Sequence, residues 1–227
     1  MSSRRTQGRI PRGLFITGEG VEGSGKTTQL SRLAASLRTQ GYEVVETREP
    51  GGTPIAEQIR QVLLATKSHL TVPQTDPVRP WCEAFLVFAA RAQHVAHVVR
   101  PALKRGAIVI CDRFVDSTLA YQGYGRGLSV PLLRRLNAQA TDRLTPHMTL
   151  LFDVSVRVGL ARRRTGGLEE TRIDREHRRF HERVRKGFLA LAKRERRRIS
   201  VIDAGKSQDA VAADVSKIVI GRLKRSR

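Results

Sequence analysis

Between Leu14 and Leu37 the chain changes character twice, from a short apolar run to a glycine-rich turn and then to an amphipathic stretch. The turn reads Gly20-Val21-Glu22-Gly23-Ser24-Gly25-Lys26-Thr27-Thr28, and Gly20 to Thr27 matches G-x-x-x-x-G-K-T. Glycines there permit positive φ and let backbone N–H groups converge on phosphate oxygens. A helix starting near Lys26 aims its positive end at the same anion. Lys26 is placed to reach β and γ phosphates, and the Thr27 hydroxyl to ligate Mg²⁺. A strand before and a helix after separate this motif from a chance glycine turn. Residues Gly20 to Thr28 are therefore expected to hold a nucleoside triphosphate.

The rest of the chain repeats the same alternation. Apolar runs at Leu14–Thr17, Glu43–Thr47, Ala107–Cys111, Met148–Val154 and Ile199–Ile202 predict strands. Helical spacing joins Leu30, Leu33, Ala34 and Leu37, then Ile55, Ile59, Val62 and Leu63. It returns at Phe180, Val184, Gly187, Phe188 and Leu191, and at Val211, Val215, Ile218 and Val219. A stretch from about Trp81 to Arg105 is apolar around much of its circumference, which suggests a buried helix. Strand–helix alternation of this kind predicts an α/β domain with a parallel sheet covered on both faces. With 227 residues and no Pro- or Ser-rich linker, one domain is expected over residues 13–222. It is flanked by a disordered basic tail at 1–12 and another at 223–227.

Charge narrows the partners less than its size suggests. There are 42 Lys+Arg against 21 Asp+Glu, a formal charge of +21, which invites nucleic acid, membrane surfaces or anionic small molecules. No apolar run approaches the ~18–20 residues of a membrane span. Aromatic residues make up 5% of the chain, with no basic–aromatic strip for stacking bases, so nucleic-acid binding beyond the non-specific is not expected. Two cysteines, Cys82 and Cys111, make neither a zinc site nor a disulfide framework, and point to a reducing compartment such as the cytoplasm. His94 and His97, and His177 and His181, have helical spacing but no third ligand, so they read as surface or core residues.

The third strand ends in Cys111-Asp112-Arg113-Phe114. A carboxylate at the carboxyl end of a central strand can hold the water shell of Mg²⁺, and Arg113 can point at a phosphate. A structural Asp–Arg ion pair is the other reading of the same residues. The GTPase signal N-K-x-D is absent.

At this point the chain resembles the thymidylate kinase family. The likeness is carried by Glu19 to Thr28, Thr47-Arg48-Glu49-Pro50-Gly51-Gly52-Thr53, Phe88 to Val95, Pro101-Ala102-Leu103 and Asp112 to Gly123. It runs from about Gly13 to Gly221. The resemblance implies a P-loop kinase of three-layer α/β/α architecture with a five-stranded parallel sheet. It also implies a homodimer and the reaction ATP + dTMP → ADP + dTDP, with ATP and Mg²⁺ required. Glu22 then corresponds to the acid that meets the deoxyribose 3′-hydroxyl and the metal shell. Arg48 and Arg113 correspond to ligands of the acceptor phosphate, and Arg91 and Thr118 to contacts on the thymine edge. Tyr121 corresponds to the ring beneath the sugar, with Gln122 supporting that pocket, and Thr27 and Asp112 manage the metal. Asp203 to Lys206 matches the segment whose backbone grips adenine. Val87 stands where the family usually has Phe. Either the base packs on an aliphatic wall, or the local register brings Phe88 to it.

Residues 160–174, with Arg162-Arg163-Arg164, Gly166-Gly167 and Arg172, have the composition of a lid. The phosphate loop has no Arg of its own, which resembles the bacterial type in which lid arginines supply transition-state charge. Arg164 or Arg172 is expected in that role, with Arg162 and Arg163 on the opposite, solvated face. Two further readings stay open: a kinase for another (deoxy)nucleoside monophosphate, and a basic nucleic-acid-binding protein using ATP as a switch.

Overall fold

β1, Leu14–Glu19, is buried at every position and leads straight into the glycine turn. A computed structural model of the chain describes residues 13–65, 77–166 and 170–225. The expected tail at 1–12 and residues 167–169 of the expected lid lie outside them. The other strands are β2 (Val44–Arg48), β3 (Ile108–Asp112), β4 (Met148–Asp153) and β5 (Ile199–Asp203). All pair in parallel, in the order β2-β3-β1-β4-β5. With β1 central, Gly18 registers with Asp112, and Asp112 with Arg48. The carboxyl ends of β1, β2 and β3 thus bring the glycine turn, Asp112 and Arg48 to one edge of the sheet, where ligands of open α/β sheets bind.

Side chains alternate across the sheet. Ile16, Ile110 and Leu150 join a large core on one face, while Phe15, Val109 and Phe114 join a smaller one on the other. Helix α1 (Lys26–Thr39) buries Leu30, Leu33, Ala34 and Leu37, the stripe its sequence spacing predicts. Helix α2 (Pro54–Leu64) begins with Pro at its first turn and Thr53 as cap, whose Oγ1 accepts from the Ala56 amide at 3.2 Å. The remaining helices are α5 (Val115–Thr118), which continues into a π-helical stretch Leu119–Gly125, then α6 (Val130–Ala140), α7 (Val156–Thr165), α8 (Arg178–Arg194) and α9 (Gln208–Arg225).

The stretch read as one buried helix differs in two ways. It is α3 (Pro80–His94), a π-helical stretch Val95–Val99, and α4 (Arg100–Lys104). Pro101 has no N–H for the carbonyl four residues back, and the widened stretch lies directly before it. One face is also open: Phe85 is 57% exposed. At the other end, α9 carries on to Arg225 with Leu223 buried against the core, so the helix extends into what reads from sequence as a tail from 223.

Candidate active site

A cavity of ≈ 480 Å³ opens at the carboxyl edge of the sheet. The phosphate loop forms its floor, and Gly23, Gly25, Lys26, Thr27 and Thr28 line it, while Gly20, Val21 and Ser24 are buried beneath. Gly25 is left-handed (φ 79°) and caps α1 with no side chain, so the first N–H groups of α1 stay available to an anion. Gly23 is also left-handed (φ 67°), and a Cβ there would stand 1.9 Å from the Gly159 carbonyl oxygen. The loop can therefore lie against α7 only as glycine. Lys26 is buried, with Nζ 3.5 Å from the Val21 carbonyl. Burial and then the neighbouring Arg113 charge lower its pKa from the usual lysine value.

Thr27 and Asp112 meet here: the Thr27 hydroxyl donates a short hydrogen bond to Asp112 Oδ2. Asp112 Oδ1 is buried with no hydrogen-bond partner among the described residues. Hard oxygens of this kind, one of them unsatisfied beside a phosphate loop, fit Mg²⁺.

Opposite the loop stands a polar wall. Arg113 has φ 70°, a left-handed conformation uncommon for a residue with a side chain. Three bonds to β1 and the loop hold it there: its amide to the Gly18 carbonyl (2.9 Å), Nη1 to the Gly20 carbonyl (3.0 Å) and Nη2 to Glu22 Oε1 (2.9 Å). Tyr121 Oη donates to the same Glu22 oxygen at 2.7 Å, and the Arg113 guanidinium lies 5.0 Å from the Tyr121 ring centre. Burial alone would raise the Glu22 pKa. The Arg113 charge, with His181, Lys26 and Tyr121, holds it well below the carboxylate range.

Arg91 lines the cavity although it is 1% exposed. Its Nε donates to Glu49 (2.7 Å), Nη1 to Thr118 Oγ1 (2.8 Å) and to Asn137 Oδ1, and Nη2 to the Phe114 carbonyl (3.0 Å). Among the described residues one Nη2 hydrogen is left over. Arg48 is at the cavity rim, with Nη2 3.0 Å from both Glu57 oxygens. Thr118 and Gln122 line the same volume, and so does Val87. Phe88 packs into the large core instead. The register does not shift, and the wall at this point is aliphatic.

The lid arginines take the reverse arrangement to the one expected from sequence. Arg162 and Arg163 line the cavity and Arg164 and Arg172 do not. Arg162 Nη1 donates to the Ala204 carbonyl at 2.8 Å, and Arg163 forms a two-pronged bond with Asp174 (3.1 and 2.9 Å). Arg164 turns back to the Leu160 carbonyl of its own helix (3.4 Å). Arg172 is tied down at Nε by the Leu63 carbonyl (3.1 Å) and at Nη2 by Glu83 (2.7 Å).

Sequence reasoning missed four contributors. Glu83, buried on α3, accepts from Gln122, Arg126 and Arg172. Its signal was the run Glu83, Val87, Arg91, four apart on one helical face. Asn137, Asp174 and Arg60, which lines the cavity with Nη1 on the Pro50 carbonyl (2.9 Å), carry no local pattern. The histidines behave as core or surface groups. His94 is buried between Thr47 Oγ1 (2.7 Å) and Glu49 (2.9 Å), and His181 is buried with Nδ1 3.4 Å from Glu22 Oε2.

Against known proteins, residues 19–215 match the family model described as thymidylate kinase. The thymidylate kinase of Geobacter sulfurreducens is 50% identical over 220 residues, covering 94% of this chain and 99% of that protein. That of Thermomicrobium roseum is 52% identical over 213 residues, covering 94% and 97%. The crystal structure of thymidylate kinase from Ehrlichia chaffeensis superposes with a TM-score of 0.71 at 35% identity, covering 92% of this chain and 99% of that one.

Proposed function

The chain belongs to the thymidylate kinase family, and from that premise we propose how its residues perform the family's reaction, Mg²⁺-dependent transfer of a phosphoryl group from ATP to dTMP to give ADP and dTDP. One observation carries the assignment of roles. A single cavity joins the phosphate loop to the Arg48–Arg91–Arg113–Tyr121 wall, so the phosphates of a donor and of an acceptor nucleotide can meet within it.

The acceptor brings its own nucleophile. A phosphate monoester has a second pKa near 6, so at pH 7 its oxygen is already an anion and no general base is required. The protein's task is to align two polyanions and neutralise the charge between them. The loop amides and Lys26 hold the β and γ phosphates. Arg48 and Arg113 hold the acceptor phosphate, and Arg163, with Arg162 beside it, reaches from the lid toward the transferring group. Thr27 and Asp112 would hold Mg²⁺, which supplies charge neutralisation on the β and γ oxygens when bound. Ionised Glu22 takes the sugar hydroxyl, with the Tyr121 ring beneath the sugar. Arg91, Thr118 and Gln122 meet the base edge against Val87.

The test is ADP release with dTMP, dUMP, dGMP, dCMP and AMP as acceptors, with Lys26→Ala as control. We expect dTMP to be preferred and Lys26→Ala to lose activity. No preference among acceptors would sink the acceptor assignment, and an active Lys26→Ala would sink the donor assignment.

We also propose a homodimer formed through α3. Phe85, Ala89, Ala92 and Ala96 are exposed at helical spacing, Trp81 stacks on Phe85 at 5.7 Å, and adjacent α2 exposes Ile55 and Val62. A cytoplasmic location fits the two free thiols, Cys82 and Cys111. Among the described residues no helix is long and apolar enough to cross a membrane.

A further inference from the structure

Glu83 is a buried, heavily engaged carboxylate at the cavity and has no place in the phosphoryl transfer itself. It is 1% exposed and accepts four hydrogen bonds. Oε1 takes Gln122 Nε2 (2.7 Å) and Arg126 Nε (3.2 Å), while Oε2 takes Arg126 Nη2 (2.9 Å) and Arg172 Nη2 (2.7 Å). Arg126 also reaches Glu176 at 2.6 Å, so two carboxylates face two guanidiniums and the cluster is neutral. Burial pushes the Glu83 pKa up, but the bonds from Arg126 and Gln122 and the Arg172 charge bring it below the usual value.

An ionised carboxylate has no hydrogen to give. The Gln122 atom 2.7 Å from it must therefore be the amino group, and the amide cannot turn over without setting oxygen against oxygen. Its carbonyl oxygen has no protein partner among the described residues, and Gln122 lines the cavity beside Val87, Arg91 and Thr118. We propose that Glu83 is a positioning residue that sets base selectivity by locking the Gln122 amide with its acceptor toward the base. This rests on the reading of that wall as the thymine pocket. Thymine and uracil carry a donor at N3–H, which the locked oxygen accepts. Cytosine carries an acceptor there, which would meet the same oxygen lone pair to lone pair. Arg91, with its leftover Nη2 hydrogen, adds a donor suited to O4 of thymine and unsuited to the amino group of cytosine. Sites built to hydrogen-bond a substrate reject the mismatched analogue far more strongly than apolar pockets do. With the amide free to flip, the pocket can offer cytosine a donor.

The experiment measures kcat/KM for dTMP and dCMP with the wild type, Glu83→Gln, Gln122→Met and the double variant. Glu83→Gln should reduce the dTMP:dCMP ratio by about tenfold or more, through KM for the acceptors, with KM for ATP within about twofold of wild type. Gln122→Met, which leaves the arginine cluster intact, should reduce it comparably, and the double variant no further. If Glu83→Gln fails to fold, Glu83→Asp serves: it keeps the negative charge within the cluster while a side chain one methylene shorter lengthens or loses the bond to Gln122, so the ratio should still fall. Unchanged ratios in the single variants, or additive falls in the double, would overturn the proposal while leaving the dTMP reading intact. A wild type that does not turn over dTMP would overturn both.

Discussion

Glu19 and Glu22 stand three residues apart at the mouth of the phosphate loop and are driven in opposite directions. Glu19 is wholly buried, accepting from the Phe114 amide (2.8 Å) and Ser117 Oγ (2.5 Å). Burial, with the nearby Asp116 charge, pushes it up to about 8. Burial acts on Glu22 the same way, but Arg113 and its neighbours more than reverse it. The loop so keeps an ionised carboxylate facing the cavity and a protonated one behind it. The folded Glu19 pKa lies above the unfolded one, near 4.5. The stability it contributes is therefore complete below pH 4.5 and lost as pH rises through 8, the folded chain keeping a proton the unfolded chain has released. The urea midpoint should fall between pH 5 and 8.5, and Glu19→Gln, which imitates the protonated side chain, should flatten that fall. Identical pH slopes would refute the assignment. Little of this was legible in sequence. The motif marks Glu22, but what sets Glu19 apart is packing against Phe114 and Ser117, nearly a hundred residues away.

Among the elements, the lid helix shows where a pattern is readable and its phase is not. Three consecutive arginines and a glycine pair announce a charged lid, yet their facing depends on how α7 meets the loop. That contact is set by Gly159, where a Cβ would stand 2.5 Å from the Glu22 carbonyl oxygen. Residues three and four further on share its face, which puts Arg162 and Arg163 over the cavity and turns Arg164 away. Gly159 was the available signal, and its meaning needed the loop beside it. Asp174 then ties the end of the lid back to α7 by holding Arg163 and accepting from the Thr171 amide (2.8 Å). Arg163→Ala should lower kcat by about 10²–10³-fold, the scale for losing one charge-stabilising donor, with a smaller change in KM. A comparable or larger loss in Arg164→Ala would return the role to Arg164. Steady-state kinetics on the two variants decide it.

At the scale of the molecule, five strands and most helices were legible because each is a local pattern. The order β2-β3-β1-β4-β5 was not, since parallel partners are joined only through long crossovers. The stretch bearing Phe85, Ala89, Ala92 and Ala96 reads from sequence as buried, by a core or by a second copy, because an apolar stripe looks the same whichever covers it. The 57% exposure of Phe85 leaves that face uncovered by the chain's own core, and the charge of +21 sets the terms on which a second copy can cover it. In the proposed dimer, two copies that each carry this excess would repel, so only close apolar contact would hold them together, and three exposed alanines beside Phe85 permit such an approach. Screening shortens the repulsion to about 10 Å at 0.1 M salt and about 3 Å at 1 M. Added salt should therefore tighten the dimer, the reverse of its effect on an assembly held by ion pairs. Light scattering should give twice the chain mass of 25.3 kDa for the wild type. Phe85→Asp, which places a charge on an already exposed position, should shift the mass toward a single chain without loss of fold by circular dichroism. A wild type that is monomeric at tens of micromolar in 0.5 M salt, or a Phe85→Asp variant that keeps the doubled mass, would refute the interface.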